Sequence, residues 1–211
     1  MMMNLRKAAF VVVDVQNDFC PGGALAVSGG DEVVPVVNAL ARMFDVCIAT
    51  QDWHPAGHVS FASAHPGARP FDAARIDDRV VTLWPDHCIQ GNAGADFHPG
   101  LELAPYRLIL RKGFRLGLDS YSALFENDGS TPTGLDGYLR GLGTSSVVFA
   151  GLALDYCVYY SALDAARLGY TVFVVRDATR AVGSPDGSVE RALADLASRG
   201  VAIIDSVEVL R

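Results

Sequence analysis

Apolar residues in this chain fall into short dense runs, separated by stretches with helical spacing. The run from Ala8 to Val15 is rich in β-branched residues and is broken only by Asp14. A run of this kind reads as a strand buried on both faces. Asp31 to Phe44 sets Val33, Val34, Val37, Leu40, Ala41 and Phe44 at helical intervals. Asp31 is the expected N-cap of that helix, and Pro35 falls early enough to be tolerated. Further strands are expected at Val46–Thr50, Arg107–Arg111, Val147–Gly151, Thr171–Val175 and Val201–Ile204. Helices are expected at Leu135–Leu142, Asp155–Leu168 and Ser188–Arg199. Strands alternating with helices predict an α/β fold. Its form is a three-layer α/β/α sandwich around a six-stranded, mostly parallel, Rossmann-like sheet.

Gln51 to Pro105 departs from this alternation. It is rich in Pro, Gly, His and Asp and has almost no periodicity. A loop this long in a compact domain is usually functional or disordered. Its Trp, Phe and His content argues against disorder. With no repeat, linker or low-complexity tract, residues 1–211 read as one domain.

In open α/β sheets, ligands gather at the carboxyl ends of the strands. Asp14 ends the first strand, Asp52 follows the second, Lys112 the third, and Cys157 lies about one helical turn past the fourth. Four reactive residues therefore converge on one sheet edge. Asp52 and His54 stand two residues apart in Gln51-Asp52-Trp53-His54-Pro55, and His87 returns in Trp84-Pro85-Asp86-His87. Two imidazoles and a carboxylate make a three-ligand divalent metal site with open positions. A thiol at a helix start is expected to have a lowered pKa, and the N–H groups there could hold an oxyanion. Asp14 could take the thiol proton, and Lys112 could pair with both.

Each of these residues has a plainer explanation. A lone Cys is more often a small buried apolar residue, which is the reading for Cys47 and also for Cys20 and Cys88, which lie in loops beside the motif residues. Asp14 could cap a turn, and Lys112 could be a solvated strand end. His58, His65 and His98 read as surface groups. The glycines from Gly22 to Gly30 match no phosphate-binding pattern.

Composition narrows the function classes. The chain has 211 residues, is 50% hydrophobic and carries a formal net charge of −7. No Lys/Arg cluster suggests a nucleic-acid surface. No apolar segment is long enough to span a membrane. Four Cys without C-x-x-C spacing read as reduced thiols in a cytoplasmic protein. Arg6-Lys7 and the run after them read as a first strand, not a signal peptide.

Asp14-Val15-Gln16-Asn17-Asp18-Phe19-Cys20, the two metal motifs, Lys112-Gly113 and Gly151-Leu152-Ala153-Leu154-Asp155-Tyr156-Cys157-Val158 resemble the nicotinamidase/pyrazinamidase branch of the isochorismatase-like cysteine hydrolases. The resemblance runs from about Ala8 to Asp205. It implies hydrolysis of nicotinamide to nicotinate and ammonia in NAD salvage, with pyrazinamide as a second substrate. The implied catalytic triad is Asp14, Lys112 and Cys157, with an oxyanion hole at the N–H groups of Ala153 and Cys157 and a cis peptide between Leu152 and Ala153. The implied metal ligands are Asp52, His54 and His87, with Ser60 in a second shell. The ion would be Zn²⁺, with Mn²⁺ or Fe²⁺ as alternatives. The substrate ring would lie between Phe19 and Trp84, near Tyr121. A homo-oligomer stays open. Two departures stand out: Leu154 replaces a frequent Thr, and residues 115–132 match poorly. Two other readings remain: a metal-free hydrolase of another small substrate, and an inactive binding protein on the same scaffold.

Overall fold

The computed structural model describes residues 5–76 and 79–210. Its order is β1 (Ala9–Val13), α1 (Val33–Ala41), β2 (Val46–Asp52), β3 (Ala73–Ile76), β4 (Arg79–Thr82), β5 (Tyr106–Lys112), α2 (Leu135–Gly141), β6 (Ser146–Leu152), α3 (Tyr159–Arg167), β7 (Thr171–Arg180), α4 (Ser188–Ser198), β8 (Ala202–Ile204) and α5 (Ser206–Val209). Six strands form one sheet in the order β5-β2-β1-β6-β7-β8. Every neighbouring pair in it is parallel.

The burial pattern of β1 explains its central place. Phe10 and Val12 pack into one core layer with the apolar face of α1. Ala9, Val11 and Val13 pack into the opposite layer with residues of α2, α3 and α4. A strand covered on both faces needs no polar alternation, which is why its sequence is an unbroken apolar run. Truncating a fully buried residue such as Phe10 to Ala would cost about 3–5 kcal/mol.

Strand order also places the site. From β1 the chain moves outward through β2 to β5, then returns to β6 and moves the other way through β7 to β8. The crevice where these directions diverge lies at the carboxyl ends of β1 and β6. Gly151 lets the two strands meet there. Its φ is +104°, and a Cβ would fall on the Val13 backbone.

The structure corrects several sequence expectations. Asp31 is not an N-cap: it lies inside a 3-10 turn, Gly30–Glu32, that runs directly into α1. The helix expected from Asp155 begins as a π-turn, Leu154–Val158, and becomes α-helical only at Tyr159. The 51–105 stretch contains an antiparallel hairpin, β3–β4. The same stretch is tied to the sheet by Gln16. The amide of Gln16 donates to the carbonyls of Asp52 and Ala95, and its oxygen accepts the Asp52 N–H. No helix among the described residues is long and apolar enough to cross a membrane.

Candidate active site

Lys112 organises the site. It ends β5 with its side chain fully enclosed. Its ammonium donates to Asp52 Oδ1 at 2.6 Å, to the Ser120 carbonyl at 2.9 Å and to Cys157 Sγ at 3.4 Å. Those bonds use its three donors. Asp14 Oδ2 also lies 2.8 Å from the ammonium, as a close ion pair. Burial alone would favour the neutral amine, but Asp14, Asp52 and Cys157 outweigh it and hold the Lys112 pKa well above the ordinary value.

Asp14 adopts a left-handed backbone, φ 49°, at the end of β1. This conformation is uncommon for a residue with a side chain. Thr50 supports it, accepting the Asp14 N–H at 3.2 Å and donating to Oδ1 at 2.6 Å. Oδ2 is thereby left to face the ammonium and the thiol. Burial pushes the Asp14 pKa up, and Lys112 only partly offsets this.

The expected lowering of the Cys157 pKa is not found. Burial is the largest influence and pushes the thiol well above its usual value; Lys112 pulls it back, and Asp14 and Asp52 push it up again. This direction favours the thiol over the thiolate, and an Asp14 carboxylate oxygen lies within 4.8 Å of the sulfur.

Asp52 faces both ways. Its Oδ1 is held by Lys112, while Oδ2 lies 3.3 Å from His54 Nε2 and 3.7 Å from His87 Nε2. The Nδ1 atoms of these histidines face the carbonyls of Gly113 and Pro85, each at 2.8 Å. A carbonyl can only accept, so Nδ1 carries a hydrogen, and Nε2 is the ring atom turned toward Asp52. Three buried donor atoms thus lie within 4.8 Å of one another. This set fits a divalent cation, with carbonyl-oriented imidazoles of the kind that accompany metal ligands. Burial opposes the Asp52 charge, yet Lys112 and then His54 hold its pKa well below the usual carboxylate range.

Phe19, Trp84 and Tyr121 all line one cavity of about 30 Å³ with Asp52, His54 and Cys157. The Trp84 indole donates to the Tyr121 hydroxyl at 3.0 Å. Tyr121 and Tyr156 also border an outer cavity of about 500 Å³ beside the hairpin. The Leu152–Ala153 peptide is cis. Ser60 bonds His58 Nδ1 at 2.7 Å, and the His58 ring stacks on His54 at 4.3 Å. His58 was expected at the surface but is fully buried, because this stack and Phe61 enclose it. His65 is half-buried and bonds the Val59 carbonyl, and His98 accepts the Gly100 N–H. Sequence reasoning missed Thr50 and Gln16, and it missed Asp119, Tyr156 and Val182, which also line the inner cavity. Thr50 had a readable signal, standing just before Gln51-Asp52 at a strand end.

Residues 8–208 match the family pattern described as the isochorismatase domain. The chain belongs to the isochorismatase family. Within it, the chain is similar to a nicotinamidase from Acinetobacter baylyi, at 44% identity over 99% of this chain and 97% of the relative. A solved structure of an Acinetobacter baumanii nicotinamidase/pyrazinamidase superposes with a TM-score of 0.94 at 46% identity, covering 96% of this chain and 98% of the other. The pyrazinamidase of Pyrococcus horikoshii, solved in complex with zinc, superposes with a TM-score of 0.77 at 36% identity, covering 94% and 99%. The isochorismatase-family fold is thus a wholly parallel version of the expected sheet.

Proposed function

We propose that this chain is an amidohydrolase converting nicotinamide and water to nicotinate and ammonia, and that pyrazinamide follows the same route. One observation carries the reading. A buried ammonium touches the Cys157 sulfur and the Asp14 carboxylate, and through Asp52 it reaches a buried pair of imidazoles in the same cavity. The names of the relatives described above support nicotinamide as the amide. Four free, buried thiols suit a reducing compartment such as the cytoplasm.

The reaction is nucleophilic catalysis through a thioester. Asp14 Oδ2 takes the Cys157 proton as the sulfur attacks the carboxamide carbon. The raised Asp14 pKa makes it a stronger base than an ordinary aspartate. The carbonyl oxygen becomes an oxyanion, received by the N–H groups of Ala153 and Cys157. Collapse breaks the C–N bond, and Asp14 returns its proton to the leaving ammonia. Asp14 then deprotonates water, which attacks the thioester and releases nicotinate. Cys157 leaves as thiolate beside Lys112 and is reprotonated by Asp14.

Asp52, His54 and His87 would hold one divalent cation, whose chemistry is to orient the substrate through its ring nitrogen. Zn²⁺ suits two imidazoles and a carboxylate, and the zinc-bound relative favours it; Mn²⁺ and Fe²⁺ suit the same set. Phe19 and Trp84 would flank the ring and exclude water.

Ammonia release from purified protein tests this, over nicotinamide, pyrazinamide and benzamide, with and without chelator. Nicotinamide and pyrazinamide should be turned over, benzamide should lag well behind, and chelator should suppress all three. Equal specificity constants for benzamide and nicotinamide would remove the ring-nitrogen contact. No ammonia release at all would favour an inactive scaffold.

A further inference from the structure

Asp155 is a buried carboxylate that the proposed mechanism does not use. It is the second residue of the π-turn that carries Cys157. Its Oδ1 accepts the Val182 N–H at 2.9 Å. Its Oδ2 accepts the Gly183 N–H at 2.9 Å and the Ser188 hydroxyl at 2.6 Å. The neighbouring Tyr156 hydroxyl donates to the Ser184 carbonyl at 2.6 Å. Residues 182–188 are therefore fastened to the nucleophile turn by two consecutive side chains.

We propose that Asp155 is a positioning residue for acylation: its carboxylate locks the 182–188 segment onto the Ala153–Cys157 turn, so that sulfur, oxyanion donors and pocket wall form one rigid unit. Val182, Tyr156, Ala153 and Cys157 all line the inner cavity. The clamp thus joins the wall of the cavity to the reacting turn. The chemistry of the donors selects a carboxylate. Three donors converge, two of them on one oxygen, and each needs an acceptor. An asparagine of the same shape has one oxygen and would turn an NH₂ toward an N–H or a hydroxyl donor. The position therefore demands the charge as well as the size.

The inference rests on the covalent reading above, and its test separates the two. Pyridine-3-carbaldehyde places a ring like that of the substrate beside an aldehyde. The Cys157 sulfur adds to its carbonyl carbon, the C=O π bond opens to an oxyanion, and Asp14 takes the thiol proton, which it can pass to that oxygen to give the hydroxyl form. Adduct affinity thus reads the alignment of sulfur and oxyanion donors. In the unsubstituted chain the adduct should form, and Cys157→Ala should abolish it; no adduct in the unsubstituted chain would sink the covalent reading itself. Asp155→Asn should weaken the adduct about tenfold or more, as small misplacements of reacting groups do. It should lower kcat by a similar factor, with KM little changed and metal content full, at temperatures where the variant is folded. Asp155→Asn that melts earlier but keeps adduct affinity and kcat within about twofold would make Asp155 a fold anchor only, and overturn the proposal. If Asp155→Asn does not fold, Ser188→Ala decides. Losing one donor to the carboxylate should weaken the adduct at least about threefold, and unchanged affinity would overturn the proposal.

Discussion

Gly113→Ala probes how tightly the imidazole pair is held. Gly113 follows β5, has φ +65° and supplies the carbonyl that binds His54 Nδ1. A Cβ built there would lie 2.5 Å from His54 Cε1, 2.8 Å from Nδ1 and 3.4 Å from Asp52 Oδ1. Restoring ordinary carbon contact requires the ring to retreat by about 1 Å. The left-handed backbone costs alanine about 1–2 kcal/mol, and the forced ring movement about 1–3 kcal/mol more. Both are sizeable against a total stability of about 5–15 kcal/mol. Displacing a ligand's orienting partner typically lowers metal affinity about 10–100-fold. Metal affinity measured by chelator competition, alongside thermal melting, is the assay. Gly117→Ala is the control, because its Cβ would enter open space on the same connection. The expected result is a weaker metal complex and a lower melting temperature in Gly113→Ala alone. Metal affinity within about twofold of the unsubstituted chain would refute the placement of His54 as a ligand oriented by Gly113.

Three further outcomes follow from the buried groups of the site. Cys157→Ala should abolish turnover and keep its metal, whereas Cys47→Ala, which loses a contact to the Ala41 carbonyl, should keep turnover and lose about 1–2 kcal/mol in denaturant melts; appreciable turnover by Cys157→Ala would count against the thioester. Because burial holds Asp14 above the ordinary aspartate value, kcat/KM should fall with decreasing pH before an exposed carboxylate would protonate. Because Lys112 pulls the Cys157 pKa down against burial, Lys112→Met should move the pH profile of Cys157 alkylation upward, and an unmoved profile would reject the contact as electrostatically important.

The sheet and the convergence of Asp14, Asp52, Lys112 and Cys157 were legible because both rest on strong local signals. β1 and β2, buried on both faces, write largely apolar runs, and the carboxylates of Asp14 and Asp52 at their ends stand out. The hairpin was not legible: Ala73–Ile76 and Arg79–Thr82 are four-residue strands whose half-buried faces leave little apolar contrast. The Asp31 cap failed because the 3-10 turn supplies backbone bonds that make a side-chain cap unnecessary. His58 was misjudged because its burial comes from stacking on a histidine, which no spacing announces. The direction of the Cys157 shift escaped for a related reason. A helix-start argument is local, whereas enclosure by carboxylates from β1 and β2 exists only in the folded chain.

The enclosed ammonium of Lys112 has a consequence for assembly. Its partners arrive from separate places: Asp14 from β1, Asp52 from β2, Cys157 from beyond β6, with Ser120 just past its own strand. A fully buried ammonium missing any of them is strongly disfavoured. Slipping β5 by one residue would turn its side chains to the opposite face and withdraw the ammonium altogether. The reactive groups therefore act as a checkpoint on sheet register. A chain that pairs its strands wrongly buries an unmatched charge, while a chain that has neutralised that charge has already aligned β1, β2, β5 and β6.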